Sequence, residues 1–307
     1  MDVQLREATA DEASSESPFK LYHYDPTTAG AMIFVLLFSA TTILHFWQLL
    51  RSRCWFAIPL AIGGIFEAIG YASRFASGKE SPDWTLTPYI IQAILLLVAP
   101  ALFAASIYME LARIIVLVDG ESRAWLSKKW MTKIFVIGDV LSFIMQGGGG
   151  GYQASGTLAA LKTGANIIIA GLFVQLIFFS IFIVTAVAFN MAINRSPTGS
   201  SRNDATWRKH LRVLYISSVI IMLRSIFRAV EYLQGFNGYL LRHEVYLYIF
   251  DALLMFIVMG LFNYIYPGEI TALLRNKERN DGWKTDIGGH QLQRIGSEDE
   301  LNGGRFA

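Results

Sequence analysis

Three charged residues, Arg224, Arg228 and Glu231, stand at i, i+4 and i+7 inside an apolar run from Leu211 to Leu233. The run is long enough to cross a bilayer, and the spacing sets all three on one helix face. A second apolar run repeats the spacing with the order of charge reversed: Glu67, Tyr71 and Arg74. A charge facing lipid at that depth costs at least ~2.5 kcal/mol, so each should face a protein interior. Two readings fit such a cluster. One is a salt-bridged stripe that locks helix packing; the other is a polar pathway or pocket inside a membrane bundle. Gln92, Asp139, Gln146 and Asp251 lie in further apolar runs and join the candidate set.

Charge and depth suggest the pairings. Glu67 is expected to meet Arg224 or Arg228, and Arg74 to meet Glu231 or Asp251; the planar guanidinium suits such pairs better than an ammonium. Asp139 has no charged neighbour in sequence, which leaves structural pairing or a proton-titrating role. Gln146, seven residues on, shares its face and precedes five glycines, Gly147 to Gly151. Such a run either lets helices approach closely or breaks the helix and turns backbone groups towards a cavity. No Gly-Lys-Ser/Thr follows it, so ATP binding is not expected. Neither His-Glu-x-x-His nor Gly-x-Ser-x-Gly occurs, and of five histidines only His45 falls clearly within an apolar run. No metal, cofactor or enzymatic reaction is therefore expected. Pro100 should kink its helix, Glu110 and Arg113 should form a local surface pair, and Gln175 should bond a neighbouring helix.

The elements that must position these residues are apolar and long. Of 307 residues, 53% are hydrophobic and 16% charged, and the mean hydropathy of +0.41 fits a polytopic membrane protein. Seven apolar segments lie near Ala29–Leu50, Trp55–Phe75, Thr87–Val118, Ile134–Ala154, Ala165–Ile193, Leu211–Leu233 and Val245–Tyr266. The fold expected is an all-α integral membrane protein with seven transmembrane helices over residues 29–266. Residues 1–28, acidic and Ser-rich, read as a disordered extracellular tail, and 267–307 as a disordered polar cytosolic tail. Lys and Arg concentrate in the first, third and fifth loops and in the C-terminal tail, which places the N-terminus outside and the C-terminus in the cytosol. The sequon Asn194-Arg195-Ser196 then falls on the cytosolic side and reads as chance. The acidic start does not resemble a signal peptide. The lone cysteine, Cys54, excludes an internal disulfide and sits in a short loop, as a free thiol or a palmitoylation site. Segments two and three echo six and seven (Ile65-Phe66-Glu67-Ala68 with Ile226-Phe227-Arg228-Ala229, and Tyr89-Ile90 with Tyr248-Ile249), which suggests a 3+1+3 parallel repeat.

Several stretches together resemble the fungal seven-helix lipid-translocating exporters, the RTA-like family. They are Tyr24-Asp25-Pro26, Glu67 to Arg74, Ala99-Pro100 to Met109, and Phe135 to Gln146 with its glycines. Arg224-Ser225-Ile226-Phe227-Arg228 with Glu231-Tyr232, Glu244, Asp251 and Pro267-Gly268 complete the match, over about Leu21 to Glu269. The resemblance implies movement of amphipathic lipids or toxic compounds, such as a sphingoid base or sterol-like compound. It also implies a fungal plasma membrane or an internal membrane, and no nucleic-acid partner. It assigns no site residues and no oligomeric state. The rival from another class is a seven-helix receptor or lipid sensor; against it, segment three lacks an Asp-Arg-Tyr-like end and segment seven lacks Asn-Pro-x-x-Tyr.

Overall fold

The computed structural model describes residues 26–81, 84–124, 128–153, 155, 157–203, 206–235 and 238–279; among them all regular structure is helical. The expectations for residues 1–25 and 280–307 lie outside the described residues. Seven spans are long and apolar enough to cross a membrane. We label their helices α1 (Thr28–Ser52), α2 (Ile58–Lys79), α3 (Leu86–Leu117), α4 (Lys128–Gln153), α5 (Leu158–Arg195), α6 (Thr206–Leu233) and α7 (residues 244–264). Helix α8, residues 268–279, follows Pro267.

Local chemistry fixes the ends. Arg53 takes a left-handed conformation, φ 52°, just past α1, a conformation common where helices stop. Pro59 sits in the first turn of α2, where its missing N–H costs nothing. The Thr157 hydroxyl accepts from the Ala160 amide and caps α5.

The helices pack in chain order into a ring that α7 closes against α1, and α3 reaches across the middle to α6. Phe38, Phe103, Tyr108, Leu111, Phe135, Phe182 and Leu214 fill the core, whereas Leu36, Ile43, Ile144, Val184 and Val219 face outward. Glu67, Arg74, Asp139, Arg224, Glu231 and Asp251 are all buried. Polar groups inside and apolar groups outside is what a hydrocarbon solvent demands.

Four features refine or correct the sequence reading. First, the glycine run does not break α4, which is helical through Gln153. A membrane helix that keeps its own hydrogen bonds leaves no backbone group unsatisfied, and only Gly149 makes a close approach, to the Gly164 backbone. Second, α7 is not uniform: Tyr248–Leu253 winds as a π-helix. Third, residues 268–279 form a packed helix with Ile270 buried. Lys277 Nζ donates to the Val116 and Leu117 carbonyls at 3.3 and 3.1 Å, at the end of α3 where carbonyls run out of helical partners. Fourth, Cys54 stands in the short loop between α1 and α2, as expected, but is buried there beside Leu49 and Phe56.

Candidate functional site

The buried charges converge near the end of the bundle where α2 stops and α3 and α7 begin. Arg224 on α6 pairs with Asp251 on the π-turn of α7. Arg228 pairs at 2.7 Å with Glu231, three residues along the same helix. Arg74 near the end of α2 pairs at 2.6 Å with Glu244 at the start of α7. The expected partners of Arg74, Glu231 and Asp251 are thus corrected. Glu244 begins α7 at the level where α2 ends, within reach of the Arg74 guanidinium. Glu231 is satisfied from one turn back, and the π-turn carries Asp251 against Arg224.

Glu67 is the carboxylate left over. It is 1% exposed, its Oε1 has no hydrogen-bond partner, and Arg224 and Asp251 lie within electrostatic range. It takes neither expected partner as an ion pair, because Arg224 and Arg228 are engaged elsewhere. Among the described residues four carboxylates therefore share this region with three guanidiniums. The Tyr71 hydroxyl, one turn along α2, is buried and also lacks a partner.

Arg224 has a second task. Its Nη2 donates to the Leu96 carbonyl at 2.7 Å. Leu96 lies four residues before Pro100, which has no N–H to return, so the proline leaves this carbonyl open inside an unbroken α3. The guanidinium bridges that carbonyl and Asp251. Glu244 likewise accepts from the Thr27 amide at 3.0 Å and from the Thr27 hydroxyl. It thereby ties the start of α1 to α2 and α7. The Arg74 guanidinium lies 5.5 Å from the centre of the Tyr248 ring, itself stacked on Phe34.

Two spaces flank the contact between α3 and α6. A polar cavity of about 120 Å³ is lined by Arg74, Gln92, Arg228, Glu231 and Asp251, with His243 at its rim. On the other side a mostly apolar groove of about 190 Å³ runs between α3 and α4. Tyr89, Ala93, Arg228 and Tyr232 line both. The geometry thus brings Arg74, Gln92, Arg228, Glu231 and Asp251 to the cavity, sets Arg224 and Glu67 behind it, and places Gln146 in the groove.

Asp139 is not part of either space. Its Oδ2 accepts from the Tyr108 hydroxyl at 3.0 Å, within a cluster of Phe135, Phe179 and Phe182. Gln146 bonds Gln175 of α5 at 3.2 Å, the interhelical bond expected of Gln175.

Glu110 does not form a surface pair with Arg113. It is fully buried and meets His210 Nδ1 at 3.1 Å, while His210 Nε2 meets Glu269 of α8 at 3.2 Å. Arg113 lies instead over the Phe56 ring. His210 is thus a second buried histidine besides His45, whose Nε2 contacts the Met259 carbonyl. Among the described residues no His, Cys, Asp and Glu cluster could hold a metal ion.

Sequence reasoning set Tyr71 in the α2 stripe without making it a candidate, left Glu244 out of the site, and missed the His210 bridge. Glu244 sits at the edge of its span and His210 one residue before the apolar run of α6 begins, so both read as loop residues. A signal for Leu96 was present: a proline inside a membrane helix marks the carbonyl four residues earlier.

A ring of seven apolar helices around paired charges defines a polytopic membrane protein with a polar interior next to an apolar groove. Residues 60–273 match the family described as RTA1 like protein. The chain belongs to the RTA1-like family. It is 38% identical to protoporphyrin uptake protein 1 of Saccharomyces cerevisiae over 286 residues, 82% of this chain and 93% of that one. It is 36% identical to protein RTA1 of the same yeast, over 81% of this chain and 85% of that one. It is 27% identical to the yeast sphingoid long-chain base transporter RSB1, over 78% of this chain and 73% of that one. No solved structure matches.

Proposed function

We propose that this protein translocates an amphipathic lipid, a sphingoid long-chain base or a compound of like character, between leaflets or out of the cell. The observation that carries this reading is the pairing of two adjoining spaces, one polar and one mostly apolar, with a common wall of Tyr89, Ala93, Arg228 and Tyr232. A polar head and an apolar chain need such neighbours. Among the described residues the four-to-three excess of carboxylates favours a cationic head, with Glu67 as the carboxylate not already committed to a guanidinium. The name of the RSB1 relative points the same way. In this reading the basic loops lie in the cytosol, and the cavity sits in the outer half of the membrane.

The test is flux of a fluorescent sphingoid base in liposomes holding only the purified protein. Glu67→Gln and Asp251→Asn should each lower the rate at least tenfold in folded protein. Wild-type rates in both variants would rule out a carboxylate-lined headgroup site.

A further inference from the structure

Gly147, Gly148, Gly150 and Gly151 have no packing reason to be glycine among the described residues: a Cβ built on any of them meets none of these within 4 Å. Glycine weakens a helix relative to alanine, so four in a row around a packed Gly149 need another cause. Gly149 has one, since its Cβ would stand 2.7 Å from the Gly164 carbonyl oxygen. Gly147, Gly150 and Gly151 share a different property. Each lines the groove beside α3, whereas Gly148 is exposed and does not.

A second feature of the same wall points to a ligand. Gln146 is 5% exposed, lines the groove, and its Oε1 has no partner. Gln146 Nε2 donates to the Ser142 hydroxyl oxygen at 2.6 Å and to Gln175 Oε1 at 3.2 Å, while the Ser142 hydroxyl donates to the Gly171 carbonyl at 2.7 Å. In this arrangement Gln146 Oε1 is a buried acceptor without a donor among the described residues, a costly state unless a donor arrives.

We propose that this groove is the chain site of the transported amphiphile. One alkyl chain lies along the bare α4 backbone at Gly147, Gly150 and Gly151, and a hydroxyl or amine of the same molecule donates to Gln146 Oε1. The inference rests on the translocation reading above and names the part of the site that selects the substrate. Three things identify the occupant. The groove is continuous with the polar cavity through Tyr89 and Arg228. Its edge carries Leu86, Ile90 and Ile94, which face outward, so a chain can enter from the bilayer. Its volume of about 190 Å³ falls below the ~300–1,000 Å³ of sites for drug-sized ligands. A chain can fill it and trail the rest of its length past that open edge, which fused rings or a planar macrocycle cannot do. Side chains at the three glycines would occupy the space the chain needs.

The experiment is flux of radiolabelled sphinganine, an 18-carbon amino diol, in liposomes with purified full-length protein, alongside the melting temperature of each variant. Gly150→Leu should lower flux tenfold or more. The triple variant Gly147→Ala, Gly150→Ala, Gly151→Ala should lower it at least threefold while melting higher than wild type, which separates lost function from lost folding. Gly148→Leu should leave flux unchanged, and Gln146→Met should lower it at least threefold. If wild type moves sphinganine but Gly150→Leu and the triple variant stay within twofold of it, the groove is not the chain site and translocation still stands. A triple variant that melts lower than wild type overturns the open-wall argument. Wild type that moves no sphinganine overturns both the chain site and the reading beneath it.

Discussion

Replacing Arg224 by leucine removes one guanidinium that serves two otherwise unsatisfied groups, Asp251 and the Leu96 carbonyl. An unpaired buried charge costs about 3–5 kcal/mol, and an unmet buried carbonyl about 1–3 kcal/mol more. The single variant should therefore lose roughly 4–8 kcal/mol by these two terms. Arg224→Leu with Asp251→Leu removes the stranded charge and should recover most of the loss, leaving about 1–3 kcal/mol for the carbonyl. Adding Pro100→Ala restores the N–H that α3 lacks and should recover the remainder. The assay is reversible unfolding in mixed micelles across the four proteins. A double variant as unstable as the single would show that Asp251 is not the charge that Arg224 neutralises. No gain from Pro100→Ala in the double background would show that the proline does not create the need for the guanidinium.

Three further outcomes are expected. His210→Ala leaves the buried Glu110 without its partner and Glu269 held by Lys209 alone, so it should destabilise by about 1–3 kcal/mol and speed proteolysis within residues 268–279; unchanged cleavage would show that His210 does not help to hold α8. Burial works to raise the Asp119 carboxyl, but the hydrogen bonds from Lys277 and Ser200 outweigh it and hold the group below its ordinary value. The stabilisation this gives α8 is thus present above ~pH 4, the ordinary carboxylate value, and lost as pH falls through the lower folded value. Cross-linking of α8 to the α3 end should therefore be flat from pH 8 to pH 5, and a loss within that window would contradict the assignment. Burial pushes the Cys54 thiol up, so a maleimide should label it only after denaturation; rapid labelling of the native protein would contradict its packing.

The seven spans were legible because hydrocarbon sets both their length and their composition, and no other helix among the described residues combines the two. That Arg224, Arg228 and Glu231 face inward was legible for the same reason. Their partners were not. Pairing depends on how far each helix is rotated, and the π-turn at Tyr248–Leu253 shifts Asp251 in a way that apolar periodicity does not record. Glu110 and Arg113 show the opposite trap: three-residue spacing implied a pair, yet a histidine from α6 and the Phe56 ring claim them separately. The glycines could be read as close packing or as open space, and only the neighbouring helices decide. Gly149 is the first and Gly150 the second. Residues 268–279 look polar enough to be irregular, but Ile270 and Lys277 face the bundle with the spacing of a docked helix.

The most direct measurement is sphingoid-base flux in liposomes containing only purified protein, with and without a proton gradient. Saturable flux well above that of protein-free liposomes is expected, and dependence on the gradient would make Glu67 the first candidate to carry the proton. Flux no greater than that of protein-free liposomes, across sphingoid bases and other single-chain amphiphiles, would contradict translocation by this chain.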